Sequence, residues 1–254
     1  MFELETRRYW FKTKRIFFSH RPFDVTGCHC VVFHAAKSKA DAAGFQRASG
    51  TTLVIDLTQE LDTIWKKMSK KSARYSIKRA QRDGVRVKLN DNYDEFKDLN
   101  DSFRKKKGLR PDFFCPNVLK RYGPLFVAEY DGEIIAGQSY VADDNTIMWR
   151  VGASKRLIDS DRATLIGNAN KLLVWEAIKY AKGKGLREFD FGGYQVGDRY
   201  LQLVGYSAFK KSFGGDLVER YEYRKYYLKI YKLAEWGLAR YGGLLAQLPC
   251  KPKP

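Results

Sequence analysis

Pro124-Leu125-Phe126-Val127-Ala128-Glu129-Tyr130-Asp131-Gly132 opens the stretch that decides the fold. The first seven residues are mostly apolar and rich in strand formers, and Asp-Gly is a strong two-residue hairpin turn. Ile134 to Val141 reads as the return strand, Asp143-Asp144-Asn145 as a second turn, and Thr146 to Gly152 as a third strand. Three strands joined by such short turns make an antiparallel meander. Downstream, the spacing predicts an amphipathic helix from Thr164 to Lys182, with Leu165, Ala169, Leu172, Leu173, Trp175, Ile178 and Ala181 mostly inward. Gly183 and Gly185 end it. Arg187-Glu188-Phe189-Asp190-Phe191 is then a strand running into Gly192-Gly193. A helix over residues 201–213, a strand from Leu217 to Tyr223 and a basic helix from Arg224 to Leu248 complete the chain. The order β-β-β-α-β-α-β after residue 120 defines a mixed α/β layer fold.

Upstream the pattern is β-α-β-α. Thr52 to Leu57 is a short strand, and Thr58 is the candidate N-cap of a helix with Leu61, Ile64, Trp65 and Met68 on one face. From Lys66 to Arg82 the helix turns basic: Lys66, Lys67, Lys70, Lys71, Arg74, Lys78, Arg79 and Arg82, with no acid among them. Val85 to Leu89 alternates as a strand. Tyr93 to Lys106 is a helix with Phe96, Leu99 and Phe103 as its stripe, ending in Arg104-Lys105-Lys106-Lys107. The first 50 residues give a strand from Cys28 to Ala35 and little else that local pattern assigns.

Composition bounds the function. The 254 residues include 47 Lys or Arg and 29 Asp or Glu, a formal charge of +18, with 44% apolar and 15% aromatic residues. That is globular composition with an anionic partner implied: nucleic acid, a phosphate-bearing substrate or an anionic lipid surface. The excess is densest in residues 51–110, with 16 basic and 9 acidic residues. No apolar run approaches the roughly 20 residues of a membrane span, and the N-terminus lacks a secretory layout. Four scattered cysteines fit a reducing cytoplasm better than a disulfide scaffold. Cys28-His29-Cys30 with His34 has the residue types of a metal cluster, but a strand turns alternate side chains to opposite faces. No metal site is expected.

Three separated segments, in order, carry a family likeness: Lys70-Lys71-Ser72-Ala73-Arg74-Tyr75-Ser76-Ile77-Lys78-Arg79-Ala80 through Val85; Ala169 to Ala181 with Gly185 and Phe189-Asp190-Phe191-Gly192-Gly193; and Ala208-Phe209-Lys210-Lys211-Ser212-Phe213-Gly214-Gly215. Together they span about residues 52–220, and they resemble the signature of Fem-type aminoacyltransferases of the GNAT superfamily. The resemblance implies a GNAT-like mixed α/β sheet flanked by helices, with an abbreviated second GNAT-like half at the N-terminus. The expected division is residues 1–110 for that half with the basic helix, and 111–254 for the catalytic half with the C-terminal basic helix.

The family moves an amino acid from aminoacyl-tRNA onto an amine, commonly on a cell-wall precursor. Such transfer needs a free amine, a donor for the tetrahedral oxyanion and positive charge near the leaving ribose oxygen. It needs no covalent enzyme intermediate, because the donor is already activated. The matching residue of the family's Phe-Lys-x-x-Phe-Gly element makes Lys210 the candidate for the leaving-group charge; without that match it reads as one more exposed Lys on a basic helix. Asp190, at a strand end before Gly192-Gly193, has two open readings: it orients or deprotonates the amine, or it caps the following turn. Gly192, Gly193, Tyr194 and Phe209 are candidate substrate contacts.

Lys66, Lys67, Lys70, Lys71, Arg74, Lys78, Arg79, Arg82, Arg104 and Lys105 are the candidate tRNA-phosphate contacts, against the alternative of a solvated face. The GNAT cradle for CoA pyrophosphate belongs near Arg162-Ala163-Thr164-Leu165-Ile166-Gly167-Asn168-Ala169, where only one Gly stands. The expected function is therefore tRNA-dependent aminoacyl transfer to an amine, in the cytoplasm, with no cofactor. The acceptor would be a cell-wall precursor peptide or a natural-product amine. The rivals are an acyl-CoA-dependent N-acyltransferase and a non-catalytic RNA-binding module. Arg224, Lys225, Lys229 and Lys232 among Tyr221, Tyr223, Tyr226, Tyr227 and Tyr231 suit packed tyrosines, base stacking or a peripheral contact with an anionic membrane.

Overall fold

The computed structural model describes residues 1–8, 10–109, 116–194 and 201–233. In chain order the elements are β1 (Phe2–Arg8), β2 (Phe11–Phe17), β3 (Cys30–Ala36), β4 (Gln46–Asp56), α1 (Leu61–Lys67), a π-helical turn (Lys70–Arg74) and α2 (Tyr75–Arg82). Then come β5 (Arg86–Leu89), α3 (Tyr93–Lys106), α4 (Pro116–Tyr122), β6 (Leu125–Tyr130), β7 (Glu133–Ala142) and β8 (Thr146–Ser154). A 3-10 turn (Lys155–Leu157), α5 (Ala163–Gly183), β9 (Glu188–Gly193), α6 (Leu201–Lys211) and β10 (Asp216–Tyr226) follow. The chain forms two compact units, Met1–Thr52 with the segment from Val218, and Leu53–Leu217. β4 and β10 are the strands in which it passes from one to the other.

Among the described residues, the first unit consists of strands in the order β1-β2-β3-β10-β4, with helical residues at 229–233. β1 pairs antiparallel with β2, and β2 parallel with β3. Its core is Ile16, Val31, Phe33, Ala36 and Tyr223. The Tyr223 hydroxyl accepts from the Ala40 N–H (2.6 Å) and donates to the Ser38 carbonyl (3.0 Å). Tyr231 stacks on Phe11 with centroids 4.4 Å apart and shares a hydrogen bond with Thr13 Oγ1 (2.9 Å). These tyrosines are therefore packing residues. Arg224–Tyr226 are strand, not the start of a helix: they pair with Val32, Val31 and Cys30 of β3, which satisfies their backbone. The rest of the expected helix, from residue 234, lies outside the described residues. His29 Nδ1 accepts from the Lys12 N–H (2.9 Å), and His34 pairs with Glu222 (3.2 Å).

The second unit holds the meander. Its strand order is β4-β9-β8-β7-β6-β5, with β8 and β9 parallel and β5 through β8 antiparallel. Asp131 and Gly132 both have positive φ (50° and 77°), as a type I′ hairpin turn demands. Asp143 Oδ1 accepts from the Asn145 and Thr146 N–H groups (2.9 and 2.8 Å) to make the next turn. α5 ends in a paired C-terminal motif: Gly185 N–H donates to Lys182 O (2.9 Å) and Leu186 N–H to Ala181 O (3.0 Å), with Gly185 at φ 76°. β6 shows how the layers divide. Phe126 and Ala128 pack with the α2 and α5 side chains, and Leu125 and Val127 pack with Phe96 and Leu99 of α3. A period of two thus puts α2 and α5 on one face and α3 on the other.

Three local expectations are corrected. Thr58 does not cap α1: its N–H and hydroxyl both donate to Asp56 Oδ1 (2.9 and 2.7 Å), and α1 starts after Glu60. Residues 66–82 are not one helix. The chain is extended at Met68, makes the π-turn and only then enters α2, because Ser69 N–H leaves the helix to donate to Ser212 O (2.8 Å). A boundary at residue 110 falls inside the second unit: β5 pairs with β6, and α2 packs on α5, so the described residues 53–109 share its layers.

Candidate active site

β8, α5 and β9 form a crossover whose two strands run side by side. Their ladder runs Thr146↔Glu188, Ile147↔Phe189, Met148↔Asp190 and ends there, although β8 continues to Ser154 and β9 to Gly193. A bulge coincides with the change: Ser139 and Tyr140 of β7 face Val151 and Trp149, leaving Arg150 extra. Such a bulge re-aims the side chains around it. Asp190, 1% exposed, accepts from the Gly192 N–H with Oδ1 (2.7 Å). Gly192 has φ 66°, and a Cβ there would stand 3.2 Å from Trp149 O. β9 therefore finishes in an aspartate-capped turn that a larger residue would strain.

Lys210 of α6 reaches this turn and is itself 1% exposed. Its Nζ donates to Phe191 O (2.7 Å), Gly193 O (2.6 Å) and Gly192 O (3.2 Å). Three N–H groups meet three carbonyls, so the ammonium clamps the end of β9. Burial pushes Lys210 down to about 7, while the Asp190 carboxylate pulls it back up. The exposed-lysine reading of Lys210 is thus excluded by its burial; its neighbour Lys211 is the exposed one.

The clamp sits against aromatic rings. Tyr206 lies 4.2 Å and Trp149 5.8 Å from Lys210 Nζ. Trp149 also neighbours Phe209 (5.8 Å) and Phe191 (6.3 Å). Its indole lies over Gly152, where a Cβ would meet the ring at 2.7 Å. Sequence reasoning missed Trp149 and Tyr206; the glycine three residues after a strand tryptophan was the available signal. Of the candidate substrate contacts, Phe209 and Tyr194 are half-buried against the core and Gly193 is open, with nothing within 4 Å of a Cβ.

The basic residues divide. Lys66, Lys67, Lys70, Lys71, Lys78, Arg79 and Arg82 are exposed, and Arg74 is half-buried. Arg79 pairs with Asp83 (2.8 Å), and Lys67 donates to Gln59 (2.5 Å). This segment is fastened to the end of α6 by the Ser69–Ser212 bond and by the close approach of Gly214 to Lys67, while Gly215 fits against β4. A Cβ on Gly215 (φ 95°) would lie 2.6 Å from Val54 O, and one on Gly214 (φ 76°) 3.1 Å from Lys67 O. Arg104 and Lys105 belong to α3, on the other face of the sheet, so the structure does not bring them together with residues 66–82.

At the start of α5, Arg162 is held by Asp159 (Nε to Oδ2, 2.5 Å) and Glu133 (Nη2 to Oε2, 2.7 Å). Those carboxylates raise the guanidinium's affinity for its proton and occupy the group that a pyrophosphate would need. Among the described residues, no three His, Cys, Asp or Glu side chains group as metal ligands. No helix among them is long and apolar enough to cross a membrane.

The parallel pair that parts beside this turn belongs to a fold whose class the comparisons define. Residues 67–211 match the family described as acetyltransferase (GNAT) domain. The match covers more than half of the chain, and the protein belongs to that family. Solved structures share the fold. FemX aligns at TM-score 0.65 and 14% identity, covering 92% of this chain and 86% of that one. The C-terminal domain of a putative lysylphosphatidylglycerol synthetase from Agrobacterium fabrum aligns at 0.57 and 17%, covering 82% and 72%. The L-PGS of Bacillus licheniformis aligns at 0.53 and 16%, with the same coverages. No curated protein sequence matches significantly. The GNAT fold with Fem-type likeness expected from the three motifs is therefore the fold observed, and the coarse activity is that of an acyltransferase.

Proposed function

We propose that the protein moves an aminoacyl group from aminoacyl-tRNA to an amine acceptor, either a cell-wall precursor peptide or a natural-product amine. The observation that carries this reading is the junction between the basic segment and α6: Ser69 N–H on Ser212 O, two residues beyond Lys210. It supports a donor whose phosphates lie on residues 66–82 while its ester reaches the end of β9. In the transfer the free amine attacks the ester carbon, a C–N bond forms and the C–O bond to the ribose breaks. The amine's proton leaves, and the ribose oxygen gains one. Lys210 contributes positive charge through space, since its N–H groups already serve carbonyls. Asp190 holds the turn that presents Gly192 and Gly193. Trp149, Tyr206 and Phe209 lower the local polarity around that charge, which strengthens it.

The family match also favours an acyl-CoA donor, against which stands the engagement of Arg162 by two carboxylates. A panel of charged tRNAs and amines, with products identified by mass spectrometry, separates the two. Transfer abolished by RNase supports the proposal. Transfer that survives RNase and requires acyl-CoA overturns it, and RNA binding with no turnover on any donor leaves a binding module.

A further inference from the structure

Lys171 lies on α5, away from the β9 turn, against two serines of the basic segment that no step above has used by name. Its Nζ donates to Ser72 Oγ (2.8 Å) and Ser76 Oγ (3.4 Å), which the π-turn and α2 present four residues apart. π-turns of this kind recur at functional sites. Arg156, on the 3-10 turn before α5, lies beside Gly167, one turn before Lys171; a Cβ there would be 3.7 Å from its guanidinium carbon. Neither cation has a carboxylate partner among the described residues. Burial pushes the half-buried Lys171 ammonium down, and the charge on Arg156 pushes it further.

Two like charges within electrostatic range of each other, neither with a carboxylate partner, are unfavourable in an empty protein and favourable around an anion. The hydroxyls add to this. Each accepts from Lys171, so each hydroxyl proton is free to donate onward. The cluster thus offers two O–H donors, a remaining ammonium N–H and a guanidinium fork, the donor set of a tetrahedral oxyanion.

We propose that Ser72, Ser76, Lys171 and Arg156 form a phosphate-binding site, separate from the turn held by Lys210. It is built from α5, α2 and the two short turns, and takes one phosphoryl group of either an RNA backbone or a nucleotide. The site stands whichever donor the enzyme uses. Calorimetry at low salt with the intact protein tests it, using inorganic pyrophosphate, CoA and an uncharged RNA hairpin as probes. The expected result is that at least one probe binds, and that Lys171→Met and Arg156→Gln each weaken it about tenfold. Lys211→Gln, an exposed charge removed elsewhere, should leave it unchanged. Binding confined to the hairpin assigns RNA phosphate; binding of CoA or pyrophosphate assigns a nucleotide.

Melting temperature gives a second readout that needs no ligand. Lys171→Met should raise it, because the variant removes an unbalanced charge and keeps the stem. No binding by any probe, affinity indifferent to both substitutions, or a lower melting temperature for Lys171→Met would overturn the site and leave Lys171 a structural tie between helices.

Discussion

Two lysines of the second unit leave water, and they leave it for different partners. Lys210 donates to three backbone carbonyls of one strand end. Lys171 donates to two side-chain hydroxyls and sits beside a second cation. Carbonyls accept only, so the hydrogen bonding stops at them, and Lys210 is closed into the architecture. Hydroxyls pass a hydrogen bond on, so Lys171 stays open to a further group. Burial lowers both ammonium groups, yet only Lys210 has a carboxylate, Asp190, pulling the other way. The same residue type therefore produces a fully buried clamp in one place and a half-buried, unfilled donor set in the other.

The harshest way to break this contrast is Lys210→Met. It leaves three carbonyls without the ammonium, and buried orphans cost about 1–3 kcal/mol each before water or relaxation recovers part of it. The expected outcome is a stability loss of about 3 kcal/mol in urea unfolding, with turnover down at least about 100-fold. Full stability would mean the carbonyls find other partners and Lys210 is no clamp. Normal turnover would remove the lysine from the chemistry.

Changing pH separates the two roles of Lys210 without changing the residue. Its folded value of about 7 lies below the ordinary lysine value of 10.5. Between those limits the unfolded chain binds more protons than the folded one, so this residue's contribution to stability rises with pH over that window. Below about pH 7 both states are protonated and the burial penalty is felt in full. Turnover should move the opposite way, because the charged form assists the leaving group. A kcat profile should fall as pH rises through about 7, while wild-type stability gains relative to Lys210→Met. A kcat that rises through that window instead would make Lys210 a base.

How much of this was legible before folding follows from where each signal lives. The meander and α5 were readable because Asp131-Gly132 and a 3.6-residue apolar period are local facts. β1 and β2 were not, since Glu3, Glu5, Lys12 and Lys14 make the face they share charged, and those charges are compensated only across the hairpin, where Lys12 meets Glu5 (2.8 Å) and Lys14 meets Glu3 (3.1 Å). Lys210 stood out only by likeness to a family motif. Nothing in Phe209-Lys210-Lys211 says which lysine will find three carbonyls belonging to residues 191–193. Trp149 was hidden because a bulge, set by its pairing with β7, decides what it faces. Ser72 and Ser76 were lost in a basic run whose helix turned out to be broken between them and α1.

The cations at or near the surface make the mildest extension of the contrast, and here the sheet's two faces matter. Reversing Lys70, Lys71, Arg74 and Lys78 to Glu should weaken RNA binding by about 100-fold or more and flatten its salt dependence, since each neutralised phosphate contributes to the slope.

The paired change Arg104→Gln and Lys105→Gln should do far less, under about threefold at the same ionic strength. Both residues sit on α3, whose Phe96 and Leu99 pack on the face of β6 opposite α2 and α5. An RNA phosphate seated on residues 66–82 is separated from them by the sheet. Their residual influence is long-range attraction, which a Debye length near 10 Å at 0.1 M salt removes. Filter binding at two salt concentrations measures both quantities. If the α3 pair lowers affinity and slope as much as the four reversals do, the RNA spans both faces. The basic segment fastened to α6 would then not be the principal contact.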